Sequence, residues 1–204
     1  MTSASGPLAG VSFGKALHLA VDMQRLFAPG APWATPWLPR ILPMVATIAE
    51  SHPARTVFTR FIPPERPEDL PGRWQAYYRQ WRKVTGEHLD PAFLHLVPPL
   101  AALVPPAVVV DKPVYSGFHR SALPGLLADR GVDTLVVTGG ETDVCVLATV
   151  LDAIDAGYRV VLVSDALWSS SDTGHDALMT LFATRYTMQV VKATTAELLA
   201  AWPS

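Results

Sequence analysis

Three side chains of different chemistry, a carboxylate, an amine and a thiol, each follow an apolar run of this sequence. They are Asp22, Lys112 and Cys145. A cysteine nucleophile needs a base that takes its proton and a cation that stabilises the thiolate and the charged intermediate. Asp22 can act as that base and Lys112 as that cation, while backbone amides of the turn before Cys145 can bind an oxyanion. The set therefore predicts nucleophilic catalysis by Cys145.

Cys145 is the single cysteine of the chain, and two glycines precede it between an apolar run and a helix-like pattern. A thiol near a helix N-terminus lies close to unpaired N–H groups and to the positive end of the helix dipole, which lower a cysteine pKa. The alternative interpretation is that Cys145 is a small buried hydrophobic side chain. Its combination with Asp22 and Lys112 favours the nucleophile.

Short apolar runs alternate with helix-length segments, a pattern typical of βαβ units and a parallel sheet. The predicted strands are 16–21, 56–60, 107–110, 134–138, 159–163 and 189–191. The predicted helices are 37–51, 123–129, 143–156, 174–184 and 195–201. We therefore predict a Rossmann-like three-layer α/β/α sandwich with a mostly parallel six-stranded sheet. Ligands of such sheets bind beyond the carboxyl ends of the strands, where the acid, the amine and the thiol all fall. Asp165, at the end of the fifth predicted strand, is expected to cap or support a loop.

The 204 residues suit a single domain, 1–204. The region 62–106 departs from the strand–helix rhythm and forms an insertion rich in proline and aromatic residues. Trp74, Tyr78 and Trp81 are spaced as one face of a short helix. This face either packs on the sheet or a partner subunit, or forms a lid that shields the site from water. Basic residues outnumber acidic ones over 60–83, which indicates either an anionic substrate group or a solvated surface.

The composition excludes several classes of protein. Half of the residues are hydrophobic, 17% are charged, and the net charge of −2 argues against a nucleic-acid partner. One cysteine rules out an internal disulfide framework and fits a reducing compartment. The first seven residues lack the regions of a signal peptide, and no apolar run approaches the roughly 18 residues of a membrane helix. We therefore expect a cytoplasmic protein with a small-molecule substrate and no membrane partner, and the low charge content favours self-association.

The order Asp22, Lys112, Cys145, together with the segments 19–24 and 140–146, resembles the isochorismatase-like cysteine hydrolase superfamily. That superfamily includes nicotinamidases, N-carbamoylsarcosine and ureidoacrylate amidohydrolases, and biuret hydrolases. The resemblance extends from Ala16 to about Trp202. It implies that Asp22 is the base, Lys112 its electrostatic partner and Cys145 the nucleophile. It also implies dimers or tetramers, and a cis peptide bond between Gly140 and Glu141 that aims the amides of Glu141 and Cys145 at the oxyanion.

Two departures from the superfamily pattern narrow the expected activity. The Asp-x-His and further His by which nicotinamidases bind a metal have no counterpart in the stretch 56–64, so we expect neither metal nor cofactor. Family members that cleave the vinyl ether of isochorismate can lack the cysteine, which this chain retains. We therefore predict hydrolysis of a small amide, carbamoyl or ureido C–N bond through a thioester. The alternatives are a vinyl-ether hydrolase that uses Asp22 as an acid, and a catalytically idle binding or regulatory module.

Small-molecule sites usually have apolar walls with a few polar groups, and the substrate pocket is predicted on that basis. The predicted pocket residues are Phe27, Arg60, Trp74, Phe118, His119 and Trp168.

Overall fold

A six-stranded sheet, parallel at every pairing, forms the centre of the computed structural model, which describes residues 6–204. Its strands are β1 (Ala16–Val21), β2 (Thr56–Phe61), β3 (Val108–Lys112), β4 (Thr134–Gly140), β5 (Arg159–Trp168) and β6 (Val190–Ala193). The order β3-β2-β1-β4-β5-β6 places β1 and β4 side by side in the middle. The predicted fold class is confirmed. Residues 1–5, part of the segment read for a signal peptide, lie outside the described residues.

Seven α-helices connect and cover these strands in the described part of the chain. They are α1 (Leu38–Ser51), α2 (Arg73–Gln80), α3 (Pro98–Ala101), α4 (Leu123–Asp129), α5 (Leu147–Asp155), α6 (Asp172–Arg185) and α7 (Thr195–Ala201). Between residues 6 and 204, no helix combines the length and the hydropathy that crossing a membrane requires.

Two apolar cores lie on opposite faces of the sheet, which makes the molecule three layers. Successive residues of β1 alternate between them, with Ala20 in one core and Leu19 and Val21 in the other. The first core packs α1 and α7 against the sheet, and the second packs α4, α5 and α6. Because parallel strands are buried on both faces, their sequences are continuous apolar runs rather than alternating ones.

The order in which strands are added to the sheet changes side between β1 and β4, which makes this pair the topological switch point. β2 and β3 lie on one side of β1, whereas β4, β5 and β6 lie on the other. The connections that leave the carboxyl ends of β1 and β4 therefore diverge and open a crevice there. In open α/β sheets such a switch point is where ligands bind.

β5 is longer than predicted, because it continues through the polar pair Ser164 and Asp165 to Trp168. Its far end pairs with Gly139 and Gly140 of β4 after an irregularity in the register. Asp165 thus lies inside a strand, and the expectation of a strand end there is wrong. Its carboxylate accepts hydrogen bonds from the backbone N–H and the hydroxyl of Thr195, at 2.8 and 2.9 Å, and so fixes the start of α7.

The insertion at 62–106 contains α2, α3 and several single turns of 3₁₀ helix. On α2 the rings of Trp74 and Tyr78 stack on each other, with centroids 6.1 Å apart, as their spacing predicts. Tyr78 is fully buried in the first core, whereas Tyr77 and Trp81 border an open cavity beside the sheet. The predicted grouping therefore holds for Trp74 and Tyr78, which pack in the first core, whereas Trp81 lies just after α2 and borders the cavity with Tyr77.

Candidate active site

Asp22 follows β1 directly and is fully buried at the switch point. Its backbone has φ of 52°, in the left-handed region that aspartate tolerates better than most residues. The hydroxyl of Thr59 donates to Oδ1 at 2.7 Å and accepts from the backbone N–H of Asp22 at 3.2 Å. Oδ2 lies 2.7 Å from Nζ of Lys112. Asp22 is thus held by a neighbouring strand and by one buried cation.

Lys112 is the last residue of β3, and its side chain is fully buried. Nζ lies 4.9 Å from the centroid of the Phe61 ring and donates to the carbonyl of Val114 at 3.2 Å. Burial opposes the positive charge of Lys112, but Asp22 and Cys145 outweigh burial and hold the ammonium pKa above its ordinary value. The surroundings of Lys112 therefore favour its charged form.

Cys145 lies in the turn Thr142–Val146, a single turn of π-helix that leads from β4 into α5. The thiol is 7% exposed. Burial raises its pKa, the charge of Lys112 opposes that shift, and the carboxylate of Asp22 adds to it, so the thiol pKa lies above its ordinary value. The prediction of a lowered thiol pKa is therefore wrong. The resting thiol keeps its proton until a base removes it.

Two glycines allow β4 to approach its neighbours at this point. Gly139 has φ of 90°, and a β-carbon there would collide with the backbone of Val21. A β-carbon on Gly140 would collide with the indole of Trp168. The peptide bond between Gly140 and Glu141 is cis. The turn that carries Cys145 is therefore seated directly against β1, next to Asp22.

A cavity of about 330 Å³ opens onto Cys145. Six aromatic rings border it, and we call them the aromatic cage: Phe27, Trp33, Phe61, Tyr77, Trp81 and Tyr115. The other lining residues are Pro32, Ala34, Glu141, Val144, Cys145 and Ser170. The volume is within the usual range for small-molecule sites.

The predicted pocket residues have different outcomes. Phe27 lines the cavity. Trp168 is buried behind it, with its ring centroid 4.9 Å from that of Phe27. Trp74 lies outside the aromatic cage and packs edge-on against Tyr115 at 4.8 Å. Trp168 and Trp74 thus support the wall from behind.

Trp74 and Trp168 therefore do not line the cavity as predicted, and the structure also corrects the other three pocket predictions, Arg60, His119 and Phe118. Arg60 turns to the surface, where it forms a bidentate ion pair with Asp111 at 2.7 and 2.8 Å. His119 is exposed and lies 3.1 Å from Asp152. Phe118 packs against Tyr158 on the opposite face of the sheet, in the second core.

Several residues of the site were not predicted from the sequence. Thr59 lies inside β2, and its role depends on the register between β1 and β2. Phe61 ends β2 and Tyr115 follows Lys112 by three residues, so their nearness to strand ends was a usable signal. Trp33 lies in a loop rich in proline and glycine and gave no such signal.

In the described part of the chain, no three side chains of the metal-ligating types cluster as a metal site requires.

A thiol, a carboxylate and an ammonium gathered beside a cavity at the switch point of a parallel sheet define a hydrolytic enzyme with a Rossmann-like sandwich fold. The chain belongs to the isochorismatase family, whose domain matches residues 16–197.

Two similar proteins and one solved structure agree with membership of this family. A maleamate amidohydrolase from Pseudomonas putida is 28% identical over 174 residues, which cover 82% of this chain and 79% of that protein. A ureidoacrylate amidohydrolase from Methylorubrum extorquens is 42% identical over 59 residues, which cover 29% of this chain but only 24% of that protein. The crystal structure of a cysteine hydrolase from Pseudomonas syringae pv. phaseolicola superposes with a TM-score of 0.78 at 26% identity, over 96% of this chain and 93% of that chain.

Proposed function

We propose that this protein hydrolyses the C–N bond of a small amide, carbamoyl or ureido compound, with Cys145 as the nucleophile. The observation that carries the proposal is the buried pair of Asp22 and Lys112, 2.7 Å apart, beside a thiol that opens onto a cavity. The names of the relatives support the substrate class, since the maleamate and ureidoacrylate enzymes are both amidohydrolases.

The first step is proton transfer from the thiol. Because burial and the nearby carboxylate raise the thiol pKa, Cys145 needs a base, and Asp22 is the carboxylate that interacts with it. Oδ2 of Asp22 makes no hydrogen bond beyond its contact with Lys112, so it is free to accept the proton. After the transfer, the thiolate keeps the positive charge of Lys112 as its partner.

The thiolate then attacks the substrate carbonyl carbon, and the carbonyl oxygen becomes an oxyanion. The backbone amides of Glu141 and Cys145 are the proposed donors to that oxyanion. When the C–N bond breaks, Asp22 returns its proton to the leaving nitrogen, which departs as ammonia or an amine. The acyl group stays on sulfur as a thioester.

Water completes the cycle. Asp22, again a carboxylate, takes a proton from a water molecule that attacks the thioester carbonyl. The C–S bond breaks, the acid product leaves, and the proton on Asp22 returns to sulfur. One carboxylate thus serves as base and acid in both halves of the reaction, and Lys112 remains charged throughout.

The test is a screen for ammonia release over amides, carbamoyl amino acids, ureides and biuret, with purified protein and with Cys145→Ala and Cys145→Ser. We expect turnover by the natural sequence, none by either variant, and an acyl adduct on Cys145 in the intact-protein mass spectrum. Circular dichroism checks that the variants are folded. Turnover by Cys145→Ala, or release of pyruvate from isochorismate without release of ammonia from any amide, would overturn the proposal.

We also propose that the protein acts in the cytoplasm on a small molecule, as a homodimer or homotetramer. The support is the low charged fraction of 17% and the single cysteine. Sedimentation velocity at micromolar protein gives the subunit number, and a monomer over the whole concentration range would contradict the oligomer.

A further inference from the structure

Five of the six rings of the aromatic cage form a circuit around the cavity that opens onto Cys145. The centroid of Trp33 lies 6.0 Å from that of Phe61 and 5.9 Å from that of Trp81. The circuit closes through Tyr77, 6.5 Å from Trp81, and Tyr115, 6.5 Å from Phe61, which both pack edge-on against Trp74. A substrate at Cys145 is therefore surrounded by aromatic side chains.

The charge of the cavity wall is negative. Of the described residues that line it, Glu141 alone carries a charge. Its carboxylate accepts a hydrogen bond from the backbone N–H of Ser170 at 3.0 Å, and none of the ion pairs in residues 6–204 includes it. The wall thus presents a carboxylate with no cationic partner.

The nearby cations do not offset this charge. Lys112 is already paired with Asp22. Arg66, Arg79 and Arg82 line a separate surface cavity that they share with Glu68 and Glu87. Arg73 lines a neighbouring shallow depression that shares Tyr77 and Tyr115 with the cavity, but it does not line the cavity itself. None of the basic residues in 60–83 lines the cavity at Cys145, so their excess does not support an anionic substrate.

A carboxylate in this cavity would lie beside Glu141 and aromatic rings, with no basic side chain to stabilise its charge. A weakly hydrated cation has the opposite energetics, because the electron-rich faces of aromatic rings attract it and Glu141 adds charge attraction. We propose, on the basis of the proposed function, that the cavity selects amides that carry an alkylated ammonium group. The aromatic cage holds the ammonium group while the amide carbon lies against Cys145.

The test compares three small amides of similar size that differ in charge. They are 2-(trimethylammonio)acetamide, its uncharged tert-butyl isostere 3,3-dimethylbutanamide, and the anion malonamate. We expect kcat/KM for the cation to exceed that for the isostere by about tenfold, and the anion to be the poorest substrate. Equal values for the cation and its isostere, or a preference for malonamate, would overturn the inference.

Variants of the aromatic cage separate cation recognition from general fit. Trp81→Leu and Trp33→Leu are expected to lower the ratio of cation to isostere toward one, and Glu141→Gln to lower it as well. Phe118→Leu, outside the cavity, is the control and keeps the ratio. A ratio that stays constant in Trp81→Leu, Trp33→Leu and Glu141→Gln contradicts a role for the cavity wall in cation recognition.

A binding measurement keeps this inference separate from the proposed function. Tetramethylammonium chloride is titrated into Cys145→Ala, with tryptophan fluorescence as the readout and tert-butanol as the uncharged comparator. We expect saturable quenching by tetramethylammonium only, reduced in Cys145→Ala/Trp81→Leu. Saturable quenching without hydrolysis of any amide by the natural sequence means that the proposed function has failed and the cation site stands. Hydrolysis of uncharged amides without quenching by tetramethylammonium means that the proposed function stands and the cation site has failed.

Discussion

Asp22 and Lys112 are expected to affect both the activity of the site and the stability of the fold. Both side chains are fully buried, and their charged atoms lie 2.7 Å apart. A buried ion pair adds little over a well-packed apolar pair, but removal of one partner leaves an uncompensated charge. We expect Lys112→Met to lower the free energy of unfolding by about 3–5 kcal/mol, measured by urea denaturation.

The double variant Asp22→Asn/Lys112→Met is the control for that prediction. With no charge left behind, it is expected to be more stable than Lys112→Met alone, so the two substitutions are strongly non-additive. Destabilisations that simply add would show that the two charges are not energetically coupled. Neither variant is expected to release ammonia.

Thr59 is a positioning residue for Asp22. Its hydroxyl both donates to the carboxylate and accepts from the backbone N–H of the same residue. Thr59→Val keeps the shape of the side chain and removes both bonds. A hydrogen bond to a charged group contributes roughly 1.5–3 kcal/mol, so we expect kcat to fall by about tenfold or more with KM little changed.

Thr59→Ser retains the hydroxyl and distinguishes this role from simple packing. We expect it to restore most of kcat in steady-state assays. If Thr59→Ser is as impaired as Thr59→Val, the methyl group matters and the hydrogen bonds do not.

Asp22, Lys112 and Cys145 could be found from the sequence because each follows an apolar run, and parallel strands bring their carboxyl ends to one edge. The direction of the thiol pKa could not be found in this way. The sequence locates the start of a helix, but the burial of Cys145 and the distance from Asp22 depend on how the strands pack. Thr59 was missed for the same reason, since a threonine inside a strand is ordinary until the register is known.

At the scale of elements, Gln24 ties three segments together at the edge of the site. Its fully buried amide accepts from the backbone N–H of Phe61 at 2.7 Å and donates to the carbonyls of Phe61 at 3.1 Å and Leu94 at 3.0 Å. It thereby fixes the end of β2 and the insertion relative to β1. Phe61 belongs to the aromatic cage and also packs against Lys112.

Gln24→Met has a similar shape but leaves those backbone groups without partners. We expect the free energy of unfolding to fall by about 1–3 kcal/mol and KM to rise, because the wall at Phe61 loosens. Gln75→Met on the partly exposed surface of α2 is the matched control, with an expected change within about 0.5 kcal/mol. A normal KM in Gln24→Met would show that the wall does not depend on this clamp.

Most elements could be predicted from hydrophobic runs, and β1, α4 and α7 have the predicted bounds. The predicted β5 ended too early because Ser164 and Asp165 interrupt its apolar run. Its pairing with the end of β4 and its contact with the start of α7 depend on distant residues, so the local sequence does not indicate them. Apart from Phe27 and the candidate lid residue Trp81, the aromatic cage was missed for a related reason. Its rings come from loops and element ends, whose paths are set by tertiary contacts rather than by periodicity.

At the scale of the whole molecule, one buried histidine makes the stability of the fold depend on pH. His18 lies in β1 and is fully buried. Its Nδ1 lies 3.2 Å from the hydroxyl of Thr56, which itself donates to the carbonyl of His52, and its Nε2 lies 2.8 Å from the hydroxyl of Thr138. Nδ1 therefore donates and Nε2 accepts, as in neutral imidazole. His18 joins β1 to both neighbouring strands in that neutral form.

Burial, with a smaller effect from His52, lowers the pKa of His18 to about 3. The unfolded chain binds a proton at His18 below about pH 6.5, whereas the folded protein binds it only near pH 3. The stabilisation from neutral His18 is therefore complete above pH 6.5 and is lost as pH falls.

We expect His18 to account for a loss of about 2 kcal/mol in the free energy of unfolding between pH 7 and pH 5, measured by urea denaturation. In His18→Gln, which cannot titrate, the slope of stability against pH is reduced by that amount. His95→Gln, at an exposed position, leaves the slope as it is. An unchanged slope in His18→Gln would assign the acid sensitivity of the fold to other groups, such as His52 and His175, whose pKa values burial also lowers.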